Sequence, residues 1–232
     1  LLTRLPVLAD GAFQEGIDAY HQSEYSTAAS AFERAVGKVE TAAAHHNLAL
    51  ALYQQGKVSE SAWHLERALL LEPGNKPYHF KLGALRQQMG LPVARPEWHE
   101  LASRILSRQS WILLLSVAFW VTAAALWLPK ASGSRISLPI KAARTAGLIA
   151  LILAAAALYQ NRHLGSYGIV LGDRPLTLHA APASAAPQIG LARPAERARR
   201  VDQHGAYLEI ETEGGARGWI EAEHYRLILP ET

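Results

Sequence analysis

Ten histidines are the side chains of this sequence best suited to chemistry near neutral pH. His45, His46 and His64 fall within one helical stretch, where they could act as metal ligands or bases. Metal-assisted hydrolysis would need an arrangement such as His-Glu-x-x-His, with two ligands one helical turn apart, and none occurs. No Gly-x-Ser-x-Gly elbow presents a serine nucleophile, and no glycine-rich loop offers backbone amides to a phosphate. Cysteine is absent from all 232 residues, which excludes disulfides, thiolate catalysis and cysteine-held zinc or iron–sulfur centres. The reading is therefore a non-enzyme with no catalytic residue, no metal and no cofactor. His46 is assigned to a binding surface, and His45 to a solvated or partly buried place on its helix. An unrecognised enzyme site remains as a remainder. The net charge of +3 is modest and partly concentrated in one short loop, so it leaves no nucleic-acid footprint.

The elements that position these residues are arranged around an apolar hairpin. Residues 110–128 carry no charge and are about long enough to cross a ~30 Å hydrocarbon layer, with Trp111 and Trp127 near the two ends. Residues 145–161 return as a shorter, alanine-rich arm bounded by Arg144 and Arg162. The alternative is a pair of buried helices in a soluble core, but such helices normally show a polar face, and neither arm has one. The expectation is a transmembrane hairpin in a lipid bilayer. Its loop, residues 129–144, holds Lys130, Arg135, Lys141 and Arg144 with no acid, which predicts a cytoplasmic loop and places both flanking parts on the outer side. Residues 1–9 read either as the remnant of a signal peptide or as an apolar cap on the first helix.

Residues 10–92 repeat at a spacing of 33: Tyr25, Ala28, Phe32 and Ala35 recur as Val58, Ser61, Leu65 and Ala68. A period of this length marks stacked helix pairs. Residues 42–75 resemble a tetratricopeptide (TPR) repeat, with Leu48, Ala49, Leu52, Gly56, Leu65, Ala68 and Pro73 at its consensus places. Residues 9–41 are a looser copy, and residues 76–90 match the first helix of a third unit, about two and a half repeats in all. The resemblance implies a concave groove for protein partners. Its first helix would supply Phe13, Gln14, Ile17, Tyr20 and His21, and its second His46, Asn47, Leu50, Tyr53 and Gln54. Lys81 and Gln88 would follow from the third. Phe13 replaces the lysine that a carboxylate clamp needs there, so that specificity is not expected. Residues 93–109 read as a capping and juxtamembrane helix, with Trp98, Leu101 and Ile105 on one stripe.

Residues 165–232 change to short alternating runs bounded by Gly and Pro, which predicts a small all-β barrel. Strands are expected at residues 169–171, 176–178, 198–201, 207–212, 216–220 and 227–229, with Gly214-Gly215 turning a hairpin. Tyr207 and Gly218-Trp219-Ile220 resemble the end of a bacterial SH3-like domain, and residues 178–190 resemble its earlier loop. Tyr207 and Trp219 are its candidate surface, with strand packing as the plainer role for Trp219.

The fold class expected from the whole chain is thus a multidomain membrane protein: all-α TPR repeats, an α-helical transmembrane hairpin and a small SH3-like barrel. That order resembles the BatE family of the bacterial aerotolerance (Bat) operon. The resemblance implies a membrane-anchored scaffold or adaptor in a bacterial envelope complex linked to stress tolerance; at the bacterial inner membrane, the cytoplasmic loop expected above would put its soluble parts in the periplasm. Implied partners are other Bat proteins with von Willebrand A domains and a MoxR-type ATPase system. A cell-wall sensor that binds peptidoglycan through the β domain is the alternative.

Overall fold

The computed structural model describes residues 11–92, 108–131 and 138–229. The segment read as a signal remnant and most of the expected capping helix, with Trp98, Leu101 and Ile105, lie outside the described residues. So do residues 132–137 of the basic loop.

Five helices open the chain: α1 (Gly11–His21), α2 (Tyr25–Lys38), α3 (Ala42–Gln54), α4 (Val58–Leu71) and α5 (Lys76–Gln88). The turns inside the two helix pairs bend at equivalent places. Ser23 and Gly56, one period apart, both take left-handed backbone, with φ of +62° and +81°. Thr41 caps α3 by accepting from the Ala44 amide at 3.2 Å, and Asn75 caps α5 on Tyr78, with Pro77 tolerated in the first turn. Each cap satisfies a donor that the helix cannot satisfy internally. Gly16 lets α1 approach α2: a Cβ there would stand 2.6 Å from the Phe32 ring. Phe13, Phe32, Leu48 and Leu52 then form one core beneath the first three helices.

The apolar arms are α6 (Arg108–Ala131) and α7 (Leu138–Leu164), packed side by side. Their most apolar stretches, Ser110–Trp127 and Ile140–Tyr159, are long and apolar enough to cross a membrane. They are only 11% and 17% buried, the reverse of core helices in a soluble protein. The arms meet through small residues: Gly147 faces Thr122 so closely that a Cβ would overlap its hydroxyl, and Ala118, Ala154 and Ala157 are buried. Such contacts let backbones approach where lipid supplies no hydrophobic drive between helices. The second arm starts earlier than expected, so Lys141 and Arg144 sit on its first turns, and Arg144 Nε donates to the Ala125 carbonyl at 2.9 Å.

The C-terminal strands are β1 (Tyr167–Val170), β2 (Leu176–His179), β3 (Gln188–Ala192), β4 (Arg197–His204), β5 (Tyr207–Thr212), β6 (Arg217–Glu221) and β7 (Tyr225–Leu227). The expected SH3-like barrel is not formed. The strands make an open, seven-stranded antiparallel sheet in the order β3-β2-β6-β5-β4-β1-β7. Closure would require the two edges to hydrogen-bond. Instead the β7 edge is covered by α4: Trp63 Nε1 donates to the Leu227 carbonyl at 2.8 Å, and Arg67 Nη1 to the Ile228 carbonyl at 2.7 Å. A helix that covers an edge removes the need for a second strand there. β3, the other edge, occupies part of the stretch read as a loop. Turn chemistry was easier to read. Gly215, at φ +81°, turns the four-residue loop between β5 and β6, whereas Gly214 stays outside the left-handed region.

Residues 11–92 and 165–229 belong to one compact unit. Ile169, Ala195 and Ile228 of the sheet region share a core with Leu65, Leu69, Leu82, Leu85 and Leu91 of the helices. A repeat array needs its last apolar face covered. Here α5, which lacks a partner helix among the described residues, has that role filled by the sheet.

Candidate functional site

Six of the twelve expected groove residues meet. Tyr20, Leu50, Tyr53, Gln54, Lys81 and Gln88 line a crevice of about 250 Å³ between α1, α3 and α5. The period explains this, since Tyr20 and Tyr53 hold equivalent places in successive helix pairs. Tyr53 Oη donates to Gln88 Oε1 at 2.6 Å, which ties the second pair to α5. Lys81 is exposed at the same wall, so the crevice combines aromatic surface with one cation.

The other six are placed elsewhere. Phe13 is buried, edge-on to Phe32 with ring centres 5.6 Å apart, and Ile17 packs against the same core. Gln14 is exposed and donates to Asp18 at 3.0 Å, and His21 is exposed at the end of α1. His46 stacks on Tyr78 with centroids 4.6 Å apart, and its buried Nε2 has no hydrogen-bond partner among the described residues. Burial lowers the His46 pKa, and the Lys81 charge adds to this, against a hydrogen bond with Asn47. Tyr207 and Trp219 are half-buried on one face of the sheet, where Glu209 pairs with Trp219 across β5 and β6 and Arg217 grips Glu209 through two bonds of 2.9 Å.

A second cluster, on the seam between α4 and β7, was not anticipated. His45 is 1% exposed, contrary to the solvated or partly buried place expected for it. Its Nε2 lies 2.9 Å from Glu40 Oε1, and its Nδ1 lies 2.8 Å from His64 Nδ1. The carboxylate can only accept, so His45 carries its proton on Nε2 and leaves Nδ1 bare. His64 must then donate from Nδ1, and its own Nε2 is left as an acceptor. Burial pushes the His64 pKa down to about 3, with His45, Arg226 and Arg67 acting in the same direction. His45 is lowered too, chiefly by burial. Arg67 pairs with Glu40, whose carboxyl burial would raise but which bonds from Arg67 and His45 hold below its usual range. Arg226 lies over the Trp63 ring at 5.2 Å. Farther along the seam, Arg86 pairs with Glu213, the Gly172 amide donates to Ser59 Oγ at 3.1 Å, and Arg193 donates to the Gly90 carbonyl at 3.0 Å. The available signal was Trp63 and Arg67, one turn apart on α4 and away from the groove.

Glu221, Glu223 and His224 also bring ligand atoms within 4.8 Å of one another on an open turn, and exposed acids often gather without binding an ion. Comparison with protein-family models gives no match, and comparison with curated proteins gives none either.

Proposed function

We propose that this chain is a non-enzymatic, membrane-anchored adaptor that holds a segment of a partner protein in the crevice between α1, α3 and α5. The carrying observation is the convergence of Tyr20, Tyr53, Lys81 and Gln88 from three helices on one opening. Aromatic side chains give contact area at low entropic cost, and Lys81 offers a charge to an acidic or carboxylate group of the partner. In this reading the helix pairs are tetratricopeptide repeats.

The hairpin is the anchor. Because the helical and sheet regions pack as one unit, the segment between them crosses the bilayer an even number of times. The basic residues near the hairpin turn favour a cytoplasmic loop and an adaptor on the outer face of a bacterial inner membrane. Kinship with the BatE family is proposed on the helix pairs and hairpin alone, since the sheet departs from the implied barrel. Envelope proteins with von Willebrand A domains, and the ATPase system encoded beside them, are the first partners to test.

Co-purification from detergent-solubilised membranes tests the groove. Tyr53→Ala with Lys81→Glu should reduce partner recovery at least about tenfold while leaving the circular dichroism spectrum unchanged. Equal recovery from the folded double variant would remove the groove from the proposal.

A further inference from the structure

The apolar hairpin has a side that anchoring does not use. Ala118 and Thr122 turn toward α7, where Gly147 meets them. At about 100° per residue, Leu113, Ser116, Trp120, Ala123 and Trp127 fall on the opposite side of α6, within a stripe roughly 80° wide. Leu113, Trp120 and Trp127 are 66%, 68% and 70% exposed, and Ser116 is exposed too. The spacing is that of a coiled-coil seam, with large residues seven apart and the small Ser116 and Ala123 between them. Two of these side chains suit lipid poorly. Trp120 stands about 15 Å from Ser110 and about 10 Å from Trp127 along the helix axis, far from the interface that an indole favours. Its ring lies edge-on to Phe119 with centres 5.5 Å apart, and its Nε1–H makes no hydrogen bond among the described residues. The Ser116 hydroxyl makes none either, whereas Thr122 Oγ1 donates to the Ala118 carbonyl at 2.7 Å.

An unmade hydrogen bond is costly in hydrocarbon, where no water supplies the partner. The stripe carries both halves of one bond: the indole only donates, and the hydroxyl oxygen accepts. A second copy inserted the same way presents its α6 parallel to the first, across a two-fold axis along the membrane normal. Helical side chains lean toward the N-terminus, so the Trp120 indole covers the turn before it, at the level of Ser116. Across the axis that level holds Ser116 of the second copy, and the small Ser116 and Ala123 leave room for the ring. The Ser116 hydrogen then turns to a carbonyl of its own helix. We propose that α6 pairs with α6 of a second copy through this stripe, each Trp120 donating to Ser116 of the other. The contact uses the same surface on both copies, so association stops at a dimer. The proposal rests on the reading that the hairpin spans the bilayer, and it does not depend on the groove.

The chain has no cysteine, so single cysteines report on the pairing without background. The purified full chain, reconstituted in phosphatidylcholine vesicles, is oxidised with copper phenanthroline. Leu113→Cys and Ala123→Cys should form disulfide dimers at least about fivefold faster than Val121→Cys and Leu126→Cys, which are exposed on the flanks of the stripe. Trp120→Phe keeps a ring and loses the donor. It and Ser116→Ala should each weaken dimerisation about threefold, read by energy transfer between labelled copies as lipid is added. The double variant should lose no more than either single one, because both remove the same bond. Equal linking at all four positions, or no self-linked product at any, would overturn the pairing and leave the face to lipid or to a helix of another protein. Additive losses in the double variant would overturn it too. Alkaline carbonate applied to the same vesicles separates two kinds of failure. A chain that stays in the membrane and fails these tests removes the pairing alone, whereas a chain that carbonate extracts removes the spanning reading with it. If Trp120→Phe fails to insert, the four cysteine variants decide alone.

Discussion

Ser23 occupies the left-handed backbone that its counterpart Gly56 adopts without a side-chain penalty. Ser23→Gly should therefore stabilise the helical stack by about 0.5–1 kcal/mol, read as a rise in its thermal midpoint. His64 supports a pH prediction. Its folded value, about 3, lies below the 6.5 expected in the unfolded chain, so the unfolded state takes up the proton first. Stability is full above pH ~6.5 and falls as pH drops toward ~3, with a limiting slope of roughly 1.4 kcal/mol per pH unit for each such group. His45 acts in the same direction, and Glu40, held low, adds a loss in more acid solution. Glu213 is raised by burial against the pull of Arg86, so its contribution has the opposite sign: stability is lost as pH rises past the usual carboxylate range. Thermal midpoints of His64→Phe and the parent, compared from pH ~7.5 to ~5, isolate the histidine part; the variant should show the shallower fall. At this scale the sequence was uneven. Gly56, at a consensus place of the repeat, was legible because its turn is local, whereas the caps Thr41 and Asn75 emerged only with the structure. Phe13 was misplaced because the repeat pattern alone does not say which inner-helix residues the next helix covers.

At the scale of elements, two contacts carry the most specific expectations. Trp63→Phe keeps the ring but loses the bond to the Leu227 carbonyl. It should cost about 1–2 kcal/mol and raise amide hydrogen exchange along β1 and β7 while α1 to α3 stay protected. Unchanged exchange at β7 would show that the seam does not depend on this bond. In the apolar arms, Gly147→Leu should separate α6 from α7 because the new side chain meets Thr122 at once. Cysteine pairs engineered across the two helices should then lose their crosslinking. The two arms were legible from their uncharged apolar runs but their ends were not, since the second starts at Leu138 and not at residue 145. Sheet closure was not legible. Whether seven short strands form a barrel depends on what covers the edge carbonyls, and Trp63, which covers one of them, is separated by 164 residues from Leu227.

For the whole molecule, the shared core of Leu82, Leu85, Leu91, Ile169 and Ile228 has a direct topological consequence. Parts that bury side chains against each other lie in one compartment. Protease added to intact spheroplasts should therefore cut tags on the helical and sheet regions together, or spare both. Cutting of one alone would mean that a single arm crosses and would overturn the hairpin reading. Composition and order suggested separate modules on a common anchor. The joint unit was hidden because Arg86 and Glu213, or Ser59 and Gly172, have no local pattern that ties them.

The same arrangement sets an order of events at the ribosome. The helical stack is made first, and both apolar arms must emerge before the strands that cover it. Until synthesis passes residue 228, the Trp63 indole and the Arg67 guanidinium have no carbonyl to meet, and the leucines of α5 stay open to water or to a chaperone. The closing step joins segments far apart in the chain, the slow kind of contact in folding. Pairing of α6 with α7 shortens that search by bringing the chain back on itself. The two arms thereby act as a tether for folding, besides the anchoring role proposed for them. A nascent chain halted before β7 should remain sensitive to protease within α4 and α5 long after α1 to α3 have become resistant.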